Sequence, residues 1–148
     1  MKIKVHRVFL FCLLLSTTIP SFSQNGSTPD PSMLVGMTLS DLIKNYGIPK
    51  NVYAVRGVEA WQDDVVFVYD NIEFFIYGNH VWQIKVRSAY NIKDGNTKAA
   101  VTKEMGEGQD YEGFTLYQLP GKAWPLMLRI NWDKSGKAAG LYIYRSDF

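Results

Sequence analysis

Hydrophobic and polar positions along this chain change period, and then do so a second time. Leu39, Leu42, Ile43 and Tyr46 fall at i, i+3, i+4 and i+7, which is one apolar stripe of a helix. Thr38, with Asp41 three residues later, predicts a capping pair at its start, the hydroxyl accepting from a free amide while the carboxylate reaches back. Gly47 predicts its end and Pro49 prevents continuation. Beyond them, 65–69, 72–77 and 81–87 are rich in β-branched and aromatic residues and are separated by Asp70-Asn71 and Gly78-Asn79-His80. These are strands joined by turns, a meander behind one helix. A weaker strand over 52–55, continuing toward Trp61, precedes them.

The pattern then starts again. A helix near 97–105 would turn Ala100, Val101 and Met105 inward, followed by strands near 114–119, 126–132 and 139–145, with Lys134-Ser135-Gly136-Lys137 as the last turn. Asp110, Glu112 and Glu107 with Gly108 read as a solvated loop. Gly36 and Gly47 lie eleven residues apart, as do Gly95 and Gly106. Thr38 matches Thr97, Leu42 matches Val101 and Lys44 matches Lys103. The tails also match, residues 84–88 aligning with 142–146 at a spacing of 58. The expected fold class is therefore α+β: two tandem helix-plus-antiparallel-meander repeats, 33–90 and 91–148, forming one sheet of six to eight strands with the helices packed on one face. Duplicated small units of this kind build a continuous surface more readily than a catalytic cleft.

The first 23 residues read as an export signal. Lys2, Lys4 and Arg7 precede the apolar run 8–15, and Ser21-Phe22-Ser23 places small residues for cleavage before Gln24. The run is too short to span a membrane, which takes roughly 20 apolar residues. Residues 24–32, polar and carrying two prolines, read as a flexible linker. Cys12 lies inside the apolar run and leaves with it, so the mature chain has no cysteine for a disulfide. Export also changes the charge: of 16 Lys and Arg, three are in the signal, against none of the 14 Asp and Glu. The mature chain is close to neutral, which removes the electrostatic footprint of a nucleic-acid binder. A periplasmic or secreted bacterial protein is expected, with no integral membrane segment after cleavage.

Gly36-Met37-Thr38-x-x-Asp41-Leu42-x-x-x-Tyr46-Gly47-x-Pro49 resembles the signature of the SmpA/OmlA outer-membrane assembly lipoproteins, and its duplicated layout is similar to that of the secreted β-lactamase-inhibitor protein. The resemblance implies a helical segment packed beneath an antiparallel sheet, and a non-enzymatic, exported binding module. This chain lacks both the acylated cysteine of the lipoproteins and the disulfides of the inhibitor.

Catalytic chemistry finds little footing. After the signal, His80 is the one histidine, and it falls in a predicted hairpin turn. No nucleophile–His–acid arrangement gathers around it, and no His/Cys spacing suits zinc. Asp63-Asp64 is the one adjacent carboxylate pair in a promising place, but neighbouring residues of an extended chain point to opposite sides. Glycine-rich phosphate motifs are absent. No cofactor or metal is expected, and an enzyme is not.

The aromatic residues are more informative. Alternation places Trp82, Ile84 and Val86 on one face of their strand and Gln83, Lys85 and Arg87 on the other. It likewise separates Ile72, Phe74 and Ile76 from Glu73, Phe75 and Tyr77, and Leu126, Leu128, Ile130 and Trp132 from Met127, Arg129 and Asn131. An outward face carrying Phe75, Tyr77, Gln83, Lys85, Arg87, Met127 and Arg129 has the composition of a protein-binding patch. The expected function is docking of another protein, as an inhibitor or an assembly partner. The alternative is a small-molecule or lipid binder using space between sheet and helices, which would need polar anchors there. A carboxylate-based hydrolase stands last.

Overall fold

A computed structural model of the chain describes residues 30–56, 63–121 and 123–147. The export signal, most of the linker and the continuation toward Trp61 lie outside the described residues. A 3₁₀ turn, η1 (Pro31–Leu34), leads into α1 (Leu39–Tyr46); it begins inside the segment expected to be linker, with Asp30 capping its first turn. Four strands follow: β1 (Asn51–Val55), β2 (Asp64–Val68), β3 (Ile72–Tyr77) and β4 (His80–Val86). A short ribbon of β5 (Ser88–Ala89) and β6 (Ile92–Lys93) leads to α2 (Lys98–Met105). Four more strands complete the fold: β7 (Gln109–Tyr111), β8 (Phe114–Leu119), β9 (Leu126–Trp132) and β10 (Ala138–Arg145). The eight long-sheet strands lie in the order β1-β2-β3-β4-β10-β9-β8-β7, every neighbouring pair antiparallel. The α+β class with one large antiparallel sheet and two helices is as expected.

Local chemistry accounts for the helices. Thr38 Oγ1 accepts from the Asp41 amide at 3.1 Å, and Thr97 Oγ1 from the Ala100 amide at 3.3 Å, each supplying a partner for a helix N-terminal donor. The Asp41 carboxylate accepts from the Thr38 hydroxyl at 2.7 Å. Gly47 and Gly106 end the helices at φ +73° and +79°, with their amides donating to Ile43 O and Thr102 O at 2.8 Å each.

Each helix has only eight residues, so it meets the sheet along a narrow line. Leu42 and Val101 are fully buried there. Ile43 and Tyr46, expected inside, stay 38% exposed, although the Tyr46 ring sits edge-on to Phe74 at 5.0 Å. Ala100, also expected inside, is exposed and Met105 half-buried.

The core is the inner face of the sheet. Phe74, Ile84, Leu128, Ile130, Leu141 and Ile143 pack there with Leu42 of α1, Val101 of α2, and Ala89 and Ile92 of the ribbon. Trp82 departs from the expected alternation. Opposite Phe75–Ile76, β4 holds Gln83 and Val81 with Trp82 between them, so one extra residue bulges the strand. The bulge turns Trp82 away from Ile84 and Val86, and its indole Nε1 donates to Asp64 Oδ1 at 2.8 Å. A second bulge lies between Ala138 and Leu141 of β10, where Gly140 has φ +152°.

Residues 58 apart in the two tails, such as Ile84 and Tyr142, lie on opposite faces of the sheet: Ile84 is buried beside Ile143, while Tyr142 pairs with Lys85 on the other face. β7 replaces the expected solvated loop around Asp110, and the ribbon was not foreseen. Both are short, and all three β7 residues are exposed, so neither carries the apolar run that marks a strand.

The approach to each helix is tied to the start of a central strand. Gly36 N donates to Val81 O at 2.7 Å and Val81 N to Met37 O at 2.8 Å. In the second half Gly95 N donates to Ala138 O at 2.7 Å and Ala138 N to Asn96 O at 2.8 Å. Both glycines have positive φ, +92° and +86°, but only Gly36 is crowded: a Cβ there would lie 2.4 Å from Trp124 Cζ2, whereas one on Gly95 would meet nothing within 4 Å. Gly95→Ala should therefore cost about 1–2 kcal/mol, the backbone penalty alone. Gly36→Ala should cost about 2–5 kcal/mol, with overpacking against Trp124 added. Urea unfolding of the two variants, side by side, measures the difference.

Candidate functional site: the open face of the sheet

The buried residues of α1, α2 and the ribbon, together with Val35 beside η1, all belong to the inner cluster. Among the described residues, no helix or ribbon covers the other face of the eight strands. Cross-strand register sets the side chains of that open face in rows. One row runs Tyr53–Val66–Phe75–Gln83–Tyr144–Met127–Gln118. The next runs Val68–Glu73–Lys85–Tyr142–Arg129–Leu116.

The expected contact residues mostly land here. Gln83 and Met127 share the first row, Lys85 and Arg129 the second, and Tyr77, 37% exposed, stands at the β3 end. Two require correction. Phe75 lies on this face but is only 8% exposed, its ring 6.4 Å from that of Tyr142, so it is part of the floor rather than a contact. Arg87 is exposed but sits past the end of β4, where the chain bends toward the ribbon and Arg87 O accepts from Asp94 N at 3.0 Å.

Several residues of this face were missed. Tyr142 and Tyr144 would have followed from alternation along β10, whose neighbours Leu141 and Ile143 are buried. Trp82, its ring 6.5 Å from Tyr144, depends on a bulge that periodicity cannot show. Tyr111 and Phe114 stack at 4.9 Å, and the Arg129 guanidinium lies 4.2 Å from the Phe114 centroid, a favourable cation–π arrangement.

Glu73 is the electrostatic centre. Its carboxylate accepts from Tyr53 Oη at 2.6 Å and from Lys85 Nζ at 3.0 Å. Burial pushes its pKa up, but the hydrogen bonds from Tyr53 and Lys85 and the charges of Lys85 and Arg87 outweigh this and hold it below the ordinary value. For Lys85, burial acts downward and is overcome by Glu73, leaving the ammonium more basic than usual. Burial, then the bond to Glu73 and its charge, pushes Tyr53 up to about 12. Asp64, buried at the edge of this face, is raised by burial, a rise that the Trp82 N–H only partly offsets.

Beside Glu73, Lys85, Arg87 and Asp94 line a depression of about 400 Å³ at the sheet end. A wider groove of about 1040 Å³ lies between η1, α1 and the ribbon. Its walls include Leu34, Ile72 and Ile92, with Asp30, Asn71, Asn91 and Lys93 also lining it. Tyr90 and Asn91 turn the ribbon at φ +52° and +62°, and Tyr90 Oη donates to Asp30 Oδ1 at 2.9 Å. His80 is exposed, its Nδ1 3.0 Å from Gly78 O. Among the described residues no three His, Cys, Asp or Glu side chains gather closely enough to hold a metal ion.

No family model matches the chain, and no curated protein does. Among solved structures, it is similar to a 1.5 Å crystal structure of an extracellular protein containing an SCP domain from Bacillus anthracis str. Ames. The two are 12% identical, with a TM-score of 0.53, over 82% of this chain and 47% of the other. At that identity the likeness concerns the fold, and this chain spans about half of that protein's length. No helix among the described residues is long and apolar enough to cross a membrane.

The depressed Glu73 pKa fixes the sign of a pH effect. A carboxylate that loses its proton more easily when folded adds stability above its unfolded pKa, near 4.5, and gives it up as pH falls through the lower folded value. Glu73→Gln should therefore lower the melting temperature at pH 7, and the gap to the parent chain should narrow between about pH 5 and pH 3. Thermal melts across that range check it; a gap independent of pH would refute the assignment.

Proposed function

We propose that this chain is an exported, non-enzymatic protein-binding module, built from one helix-and-meander unit used twice, that docks another protein through the open face of its sheet and the adjoining loops. The observation that carries the reading is the composition of that face, which no helix or ribbon covers among the described residues: exposed Tyr53, Tyr77 and Arg129 with half-buried Trp82, Met127, Tyr142 and Tyr144, over a sheet well packed on its other side. Aromatic residues, Met and Arg are the types enriched in protein interfaces, and an exposed mixed patch of this extent marks an interaction site more often than idle surface. The internal pairing of Glu73 with Lys85 and Tyr53 holds these side chains in place before a partner arrives, which reduces the ordering cost of docking.

The duplicated unit is supported by the order helix–four strands occurring twice, by matching Thr caps and Gly ends, and by the symmetric register of β4 and β10. The resemblance to the SmpA/OmlA and β-lactamase-inhibitor proteins supports an assembly or inhibitory role, and the export signal a periplasmic or extracellular setting. Photocrosslinking in the native host tests the docking face. A benzoylphenylalanine in place of exposed Gln118 on β8 should capture one dominant protein. Arg129→Glu should reduce that yield roughly tenfold, the loss of one anchor side chain, with only the small fall in melting temperature that loss of its exposed contact with Phe114 brings. Equal capture from Glu104 on α2, behind the sheet, would place the surface elsewhere.

A second reading, a small apolar or lipid-like ligand, is favoured by the groove beside the ribbon, whose Asp30, Asn71, Asn91 and Lys93 provide polar anchors. It predicts that native mass spectrometry of protein from the host detects a bound small molecule, lost in Ala89→Trp, which fills the groove.

A further inference from the structure

The depression beside Glu73 exists because two strands part there. β10 pairs with β4 as far as Leu141↔Val86, and the next residue of the chain after Val86 is Arg87. At that point β10 bulges between Ala138 and Leu141 and offers only Ala139 and Gly140, so it places nothing larger than a methyl group beside Arg87. The space of about 400 Å³ left open is bounded by the β2–β3 turn at Asp70 and Asn71 and by Asp94, just past the ribbon.

The charged groups that line it are of two sorts. Glu73 is committed to Tyr53 and Lys85, and Asp70 to Lys50. Arg87 and Asp94 are not: among the described residues, neither side chain joins an ion pair or a hydrogen bond. Their backbones are nonetheless neighbours. Asp94 N donates to Arg87 O at 3.0 Å, one step beyond Ser88↔Lys93 in the ribbon register. Opposite charges placed so ordinarily close on each other, whereas these two stay apart and both line the depression.

The committed pairs cancel, which leaves one guanidinium and one carboxylate on the same small space. A simple anion would meet Asp94 and Glu73 there, and a simple cation Arg87 and Lys85. A molecule carrying both signs is opposed by neither. The rest of the lining is largely apolar: Val68, Ile72, Val86 and Ala139. Its volume lies at the low end of the roughly 300–1,000 Å³ that small-molecule sites span, which limits the ligand to few heavy atoms.

We propose that this depression binds a free α-amino acid with a small apolar side chain, its carboxylate on Arg87 and its ammonium on Asp94. A guanidinium presents two parallel N–H donors that match a carboxylate, and the Asp94 carboxylate accepts from the ammonium. The ligand's side chain lies against Val68, Ile72 and Ala139. Arg87 and Asp94 stand off the rows of the open face, so this site and the docking of a protein can each hold without the other.

The test is an NMR titration of the isotope-labelled protein with L-valine. Saturable shifts should appear at the amides of Asn71, Arg87, Asp94 and Ala139. Isovalerate lacks the ammonium and isobutylamine the carboxylate, and each should bind at least roughly tenfold more weakly, a comparison that leaves the protein untouched. Arg87→Gln and Asp94→Asn should cause losses of the same size. Ala139→Leu, which fills the space and alters neither charge, should abolish binding. All three positions are exposed, so the melting temperatures should stay close to that of the parent. No saturable shift, shifts centred on another part of the fold, equal binding of the one-ended analogues, or unchanged binding by the variants would overturn the proposal.

Discussion

The pairing of β4 with β10 is the contact on which the rest of the molecule depends. Each half of the chain makes its own four-strand meander from local connections, and each meander ends on a strand with one free side. Four cross-strand pairs, from Val86↔Leu141 to Gln83↔Tyr144, join those two sides and turn two small sheets into one of eight strands. The same pairing places Ile84 and Val86 beside Leu141 and Ile143, which are among the most buried side chains of the molecule. Neither half would enclose these residues alone. The helices, only two turns long, could not be stable by themselves, and they gain their stability from Leu42 and Val101 entering the core that this seam creates.

The seam also sets the character of the open face. Lys85 and Tyr142 are direct partners across it, and the Lys85 ammonium lies 5.9 Å from the Tyr142 ring centroid. Lys85 in turn holds Glu73, which holds Tyr53 on the edge strand. A line of contacts thus crosses the sheet from Tyr142 of β10 to Tyr53 of β1. The bulges at Trp82 and Gly140 flank the same centre. By adding a residue, each bulge brings an extra side chain or an open backbone position to a face that strict alternation would have filled differently.

Much of this was legible in the residues. The caps Thr38 and Thr97, the ends Gly47 and Gly106, the limits of β3, β8 and β9, and the outward placement of Gln83, Lys85, Met127 and Arg129 all follow from local chemistry and period. What failed did so for physical reasons. Phe75 alternates to the outer face as expected, but its depth depends on Tyr142, which is 67 positions away in the chain. Trp82 is turned by a bulge whose cause is the register between β3 and β4. β7 and the ribbon are too short to carry a periodic signal and exist only because neighbours supply their hydrogen bonds.

The sequence by itself determined the two helix starts and stops, the longer strands β2 to β4 and β8 to β10, and the faces of those strands where they are unbulged, because each depends on side chains within a few positions of one another. Tertiary structure alone decided the strand order, the joining of β4 to β10, and which apolar residues on the second face are floor and which are contact. It also decided that β1 and β7 are the two edge strands among the described residues. Those outcomes depend on hydrogen-bond partners and neighbours distant in the chain, and no pattern within one segment encodes which distant strand will lie beside it.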